Sequence, residues 1–185
     1  MIPLVVVAGT WGFHDFWQPQ SAWGRRATER GFLLNHDPFR WSGDLVVRDH
    51  QPWQIAASSL TWYLAAKHLA APAVLVHSHG IQIVTYAASY GQRFGHVLDI
   101  EGPPRSDMEE VYVAALPNML SWTHLWNSGD SILIAGEVGE GAGEVTYLMK
   151  HATTNLEIPS KFGHSGLFGD LKAWDSLDLW SRLRG

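Results

Sequence analysis

The sequence predicts an α/β domain: about six mostly parallel strands with helices on both faces. Three observations predict it. Short, continuous, β-branched apolar runs recur along the chain, and segments with helical patterning fill the intervals between them. The composition, 46% hydrophobic and 17% charged over 185 residues, suffices to bury one core.

The first run, PLVVVAG (residues 3–9), ends in glycine and has the look of a strand buried on both faces of a parallel sheet. A helix is expected around residues 19–30, and GFLLNHD (31–37) reads as the second strand. From about Trp53 to Leu69 a longer helix follows, with Ile55, Leu60, Leu64, Ala65 and His68 on or near one face. PAVLVHS (72–78) is the third strand, and GIQIVTYAASYG (80–91) is a helix ended by glycine. GHVLDIEGPP reads as strand then turn, residues 107–120 as helix, and SWTHLWNSGD as strand then turn. After a glycine-rich loop come a helix around 144–151, a short strand near 154–158 and a terminal helix from about 168 to 183. Such alternation implies right-handed crossovers. No internal repeat, linker or low-complexity tail interrupts it, so residues 1–185 read as a single domain.

Charge and cysteine content narrow the function classes. A net charge of −5 without a basic run repels a phosphate backbone, which argues against nucleic acid as a partner. The absence of cysteine excludes disulfides, thiolate zinc sites and a cysteine nucleophile. The opening MIPLVVVA lacks a basic flank, a cleavage site and the roughly 20 residues needed to span a bilayer. It reads as a strand, and a cytoplasmic protein without a transmembrane segment is expected.

In parallel sheets ligands sit beyond the carboxyl ends of the strands. Those ends carry Gly9, Thr10 and Trp11; His36 and Asp37; Ser78, His79 and Gly80; Glu101 and Gly102; Asp130; and His164. Ser78 has the context strand, sharp turn, helix, in which a strained backbone pushes the hydroxyl out of the sheet. Small residues are wanted two positions before and after such a serine, because strand and helix backbones nearly touch there. Gly80 meets the demand; Val76 does not, so packing at the turn must differ. A serine hydroxyl needs a general base held by a third group. NSGDSI supplies Asp130 past one strand and FGHSGL supplies His164 past the last, in the order serine, acid, histidine. Competing readings stand beside each: Ser78 as a helix N-cap, Asp99 or Glu101 as the acid, His124 or His151 as the base.

On these residues the chain resembles the α/β-hydrolase family, in particular its small lipase- and esterase-like members, over nearly its whole length. VVVAGTWG is similar to the family's first strand and oxyanion turn, FRWSG (39–43) to a segment that follows the second strand, VHSHG to the nucleophile elbow, SGDSI to the acid loop and HSGL to the base loop. Ala8 departs from the histidine common before the glycine of the first turn. The resemblance implies acyl transfer to water without cofactor or metal: Ser78 attacks an ester carbonyl, His164 moves the proton and Asp130 orients the imidazole. Backbone N–H groups of His79 and of Thr10 or Trp11 would bind the oxyanion. Between Pro104 and Ser121 there is room for one helix and none for a cap domain, so an open site is expected. Trp11, Phe13, Phe16 and Trp17 offer an apolar wall for a small-molecule ester or lipid-like substrate, against the reading that they fill the core.

Other functions compete. Alternate residues at a strand end point to opposite sides, so His77 and His79 would share a direction and could grip one ion; the aspartate and histidine that complete such sites are missing from the Gly-Ile-Gln-Ile that follows. GEVGEGAGEV (136–145) has no lysine and the wrong spacing for a phosphate loop, and reads as a surface loop. A binding or regulatory protein on the same fold, and a transferase or lyase using the same nucleophile, are the remaining alternatives. Oligomeric state is not encoded legibly.

Overall fold

β1 (Ile2–Val7) has its place dictated by its side chains: Leu4 and Val6 join one hydrophobic cluster, Val5 and Val7 the other, and all four are buried. A strand apolar on both faces needs cover on both. The computed structural model describes residues 1–10, 15–43, 50–132 and 147–185. β2 (Phe32–Leu34), β3 (Ala73–His77), β4 (Phe94–Ile100), β5 (Met119–Trp126) and β6 (Thr154–Glu157) complete a six-stranded sheet of order β2-β1-β3-β4-β5-β6. Every neighbouring pair is parallel.

Helices α2 (Gln51–Ala66), α3 (Gly80–Ser89) and α4 (Glu109–Ala115) cover the face of Val5, Val7, Val74, Val76 and Val97. On the other face α1 (Ala22–Glu29), α5 (Leu171–Ser176) and α6 (Leu179–Arg184) enclose Leu4, Val6, Leu75 and Leu98. The chain runs from β1 outward to β2 and then returns past β1 to β3. Strand order therefore reverses between β1 and β3, and a crevice opens at their carboxyl ends. No cap domain is inserted among the described residues, and none of their helices is long and apolar enough to cross a membrane.

Three expectations need correction. The buried stripe of α2 is Trp53, Ala56, Ala57, Leu60 and Leu64, spaced three and four apart. Ile55, Ala65 and His68 are exposed. Residues 147–151 form coil and turn rather than helix, because the Asn155 side chain takes both backbone groups of Met149: Met149 N–H donates to Asn155 Oδ1 at 2.8 Å and Asn155 Nδ2 donates to Met149 O at 3.0 Å. The terminal helix is two short helices broken at Asp178, whose φ of 52° is left-handed, a conformation Asp tolerates better than most residues. The break brings Trp174 and Trp180 together, ring centroids 4.6 Å apart, with Trp23 beside both.

Gly80 opens α3 against the end of β1. A Cβ there would lie 2.5 Å from the Val7 carbonyl oxygen and 3.0 Å from Val76 Cγ1. Backbone oxygen cannot swing aside, so Gly80→Ala is expected to lower stability by about 1–3 kcal/mol, although the same change inside an open helix stabilises. Urea unfolding of the purified variant reads this directly.

Candidate active site

Ser78 follows the last residue of β3, and its φ of 51° places it in the left-handed region. Its N–H donates to Ile100 O at 3.0 Å, so β4 holds the turn one residue past the end of the ladder. The helix N-cap is His79, not Ser78. Ser78 therefore accepts a strained conformation, which costs an L-residue about 1–2 kcal/mol, without the compensation a capping hydroxyl supplies. Strain of this kind concentrates where function needs a fixed side chain.

The residues around Ser78 come from three other strand ends. Gly9, just past β1, presses against it: a Cβ on Gly9 would lie 2.6 Å from Ser78 Cβ and 3.2 Å from Ser78 Oγ. Beyond β5, Asn127 builds the acid turn by accepting Gly129 N–H on Oδ1 at 3.0 Å. Asp130 ends that turn, wholly buried, accepting Ile132 N–H on Oδ1 at 2.9 Å. His164, past β6, donates from Nδ1 to Asp130 Oδ2 at 2.6 Å. Such a short bond fixes the tautomer, with the proton on Nδ1, and the ring plane.

The base loop is tied to the elbow as well. His77, the residue before Ser78, donates from Nε2 to His164 O at 2.9 Å, and the two rings lie 4.7 Å apart. Asn127 Nδ2 donates to Gly163 O at 3.0 Å. Ser78, Asp130 and His164 thus lie past the carboxyl ends of β3, β5 and β6, with Asp130 and His164 in direct contact and the His164 loop tied to the neighbour of Ser78. The rival acids are engaged elsewhere or differently: Asp99 Oδ2 accepts from His124 Nδ1 at 2.8 Å, both side chains wholly buried, while Glu101 lies behind Asp130. His151 pairs with Glu109.

His77 and His79 do not share a direction. β3 ends at His77, and the left-handed turn at Ser78 breaks the alternation. His77 turns to His164 and Phe168, whereas His79 turns to the opposite face, its Nδ1 2.9 Å from Thr10 Oγ1 and its ring stacked on Trp53 at 5.4 Å. No group of three or more metal-ligating side chains occurs among the described residues.

Burial, with the charges of Arg105 and His164 acting in the same sense, holds the His79 imidazole down at about 4. Arg105 itself lies over the Trp53 ring at 5.2 Å and grips Asp107 through Nε and Nη2. His79 is thus neutral in the fold, and a proton is refused that the unfolded chain accepts. Stability is therefore expected to fall as pH drops from about 6.5 to about 4. In His79→Gln that fall is smaller, as urea midpoints at the two ends of the window will show.

A small cleft past the end of β1 is lined by Ala8, Gly9, Trp17, Phe39, Arg40 and Trp41, and of these Gly9 packs against Ser78. Trp41 Nε1 donates to Ala8 O at 2.8 Å, which seats the 39–43 segment on the end of β1. Of the expected wall, Trp17 borders the cleft, whereas Phe16 sits in a ring cluster, stacked on Phe168 at 4.2 Å and edge-on to Trp23. Trp11, Phe13 and the 136–145 loop lie outside the described residues. Phe39 and Trp41 were not expected here; the only hint was the FRWSG segment itself. Asn127 and Glu101 likewise carried no signal for their contacts, which arise from strand ends far apart in sequence.

No protein-family model matches the sequence, and no curated protein matches it. Solved structures do. A predicted CIB-like hydrolase from Thermoplasma acidophilum superposes with a TM-score of 0.60 at 12% identity, over 96% of this chain and 85% of its own. A dienelactone hydrolase-like promiscuous phosphotriesterase from metagenomic libraries also gives 0.60, at 14% identity, over 99% of this chain and 87% of its own. Strand order, helices on both faces, the left-handed turn from β3 into α3 and these two likenesses agree: the chain has the α/β-hydrolase fold.

Proposed function

We propose that this chain is a serine hydrolase of small carboxylic esters, with Ser78 as nucleophile, His164 as general base and Asp130 as its orienting acid. The observation that carries the reading is the 2.6 Å bond between Asp130 and His164 in a loop anchored to His77, the neighbour of a serine at φ 51°. Ser78 Oγ attacks the ester carbonyl carbon as His164 Nε2 takes the hydroxyl proton. The tetrahedral intermediate collapses, breaking the bond to the alkoxy oxygen, and the departing alcohol takes that proton. Water then adds to the acyl-serine, again giving a proton to His164, and collapse breaks the bond to Ser78 Oγ, which takes that proton back as the acid is released. The His79 N–H, with that of Thr10 or Trp11, would meet the oxyanion. The cleft of Trp17, Phe39, Arg40 and Trp41 next to Gly9 is narrow, which favours a small acyl group. The test is labelling by a fluorophosphonate and turnover of a short p-nitrophenyl ester, with a phosphotriester assayed in parallel because one structural neighbour is described as acting on that class. A folded protein that neither labels nor turns over any of them would leave binding as its role.

A further inference from the structure

Behind Asp130 lies a second buried carboxyl group that the triad does not use. Glu101 is the first residue past β4, at φ 55°, wholly buried, its N–H donating to Leu125 O at 2.8 Å. A left-handed conformation at a residue that is neither glycine nor asparagine is costly. Here it turns the side chain to the acid turn. Glu101 Oε1 accepts a short hydrogen bond from Asn127 Nδ2, the same amide that holds Gly163 O. Oε2 is buried and has no full-strength partner, and the charged group facing this carboxyl is Asp130.

Two carboxylates cannot both be ionised in such a place. Asp130 accepts from the His164 Nδ1–H and the Ile132 N–H, and both favour its anion. Glu101 is held by Asn127, through its amide on Oε1, and Oε2 has no donor of its own among the described residues. A single proton on Oε2 resolves the orphan and the repulsion together. We propose that Glu101 is a positioning residue for the dyad, a neutral acid whose Oε2–H is directed at Asp130 and which keeps the Asp130–His164 pair at a single negative charge. The role rests on the serine-hydrolase reading; the proton does not.

Burial first, and then the Asp130 charge and hydrogen bond, push the Glu101 carboxyl up to about 9, against the smaller opposing effect of Asn127. The titratable groups about it among the described residues are Asp130, from the turn after β5, and His164, reached through Asp130 from the loop after β6. Ionisation above that pH sets a second negative charge against Asp130 and loosens its grip on His164, so Ser78 loses activation in alkali.

The experiment compares wild type, Glu101→Gln and Glu101→Ala in two readouts. Infrared difference spectra, wild type minus Glu101→Gln, should show at neutral pH the carbonyl stretch of a protonated carboxyl that disappears in alkali. Fluorophosphonate labelling rates should fall severalfold in wild type as pH passes about 9, and stay flat there in Glu101→Gln, which keeps a neutral donor at the same place. Glu101→Ala should label slowly at every pH. A purely structural side chain would not give the glutamine variant a different alkaline limb. No protonated-carboxyl band, or an alkaline fall that persists in Glu101→Gln, overturns the proposal. Failure of wild type to label at all refutes the nucleophile and the positioning role with it, and the infrared band then separates that failure from an error about the proton.

Discussion

Ser78→Ala is expected to abolish fluorophosphonate labelling and to lower ester turnover by about a millionfold, with its circular dichroism and urea midpoint unchanged. The fold survives because the features holding residue 78 do not involve its hydroxyl. The N–H bond to Ile100 O remains, alanine keeps the Cβ that Gly9 makes room for, and the cap of α3 is His79. Ser78→Gly sharpens the result. Glycine adopts a φ of 51° without steric cost, so that variant should be as inactive as the alanine and no less stable. A Ser78→Ala protein that still hydrolyses ester would place the chemistry on another group.

Asp130→Asn is expected to cost about 10⁴ in turnover, and His164→Ala about as much as losing the serine. The asparagine effect follows from hydrogen-bond polarity. Ile132 N–H requires an acceptor at Oδ1, so the new amide nitrogen must take the place of Oδ2 and face His164 Nδ1. Two donors cannot share that contact, and the imidazole shifts its proton to Nε2, where it can no longer accept one from Ser78. Steady-state turnover of the p-nitrophenyl ester measures both variants. Combining either with Ser78→Ala should add almost nothing, because the three groups act as a unit. A full additional loss in the double variant would mean that they do not.

The polar ends of strands were the legible part of this site. Ser78 follows the apolar run of β3 directly, so the pattern that reveals that strand also reveals what it presents at its end, whereas Asp130 and His164 lie in turns further beyond β5 and β6. Local chemistry carried the element types for the same reason, since β-branched runs and a glycine at position 80 constrain their own neighbours. What failed depended on distant partners. The face of α2 is chosen by Ala56 and Ala57, whose small side chains admit α3, and not by the large Ile55 that hydrophobicity alone favours. The missing helix at 147–151 is undone by Asn155, and the terminal break at Asp178 serves the contact of Trp174 with Trp180. Phe39 and Trp41 became cleft walls only because one indole reaches the Ala8 carbonyl. Glu101 and Asp99 are alike in sequence as acids at the end of β4, and their neighbours on β5 and beyond separate them: His124 for Asp99, Asn127 and Asp130 for Glu101.

The loop that carries His164 is gripped through main-chain carbonyls, Gly163 O by Asn127 and His164 O by His77. A grip on the backbone is indifferent to side-chain identity. Lys161 is exposed before these anchors, and Ser165 and Gly166 are exposed between them and the buried Leu167 and Phe168. The rim of this loop is therefore free to vary, by natural drift or in a mutant library, without moving the imidazole, and under the proposed function substitutions there are expected to change substrate preference while leaving turnover of a small ester intact.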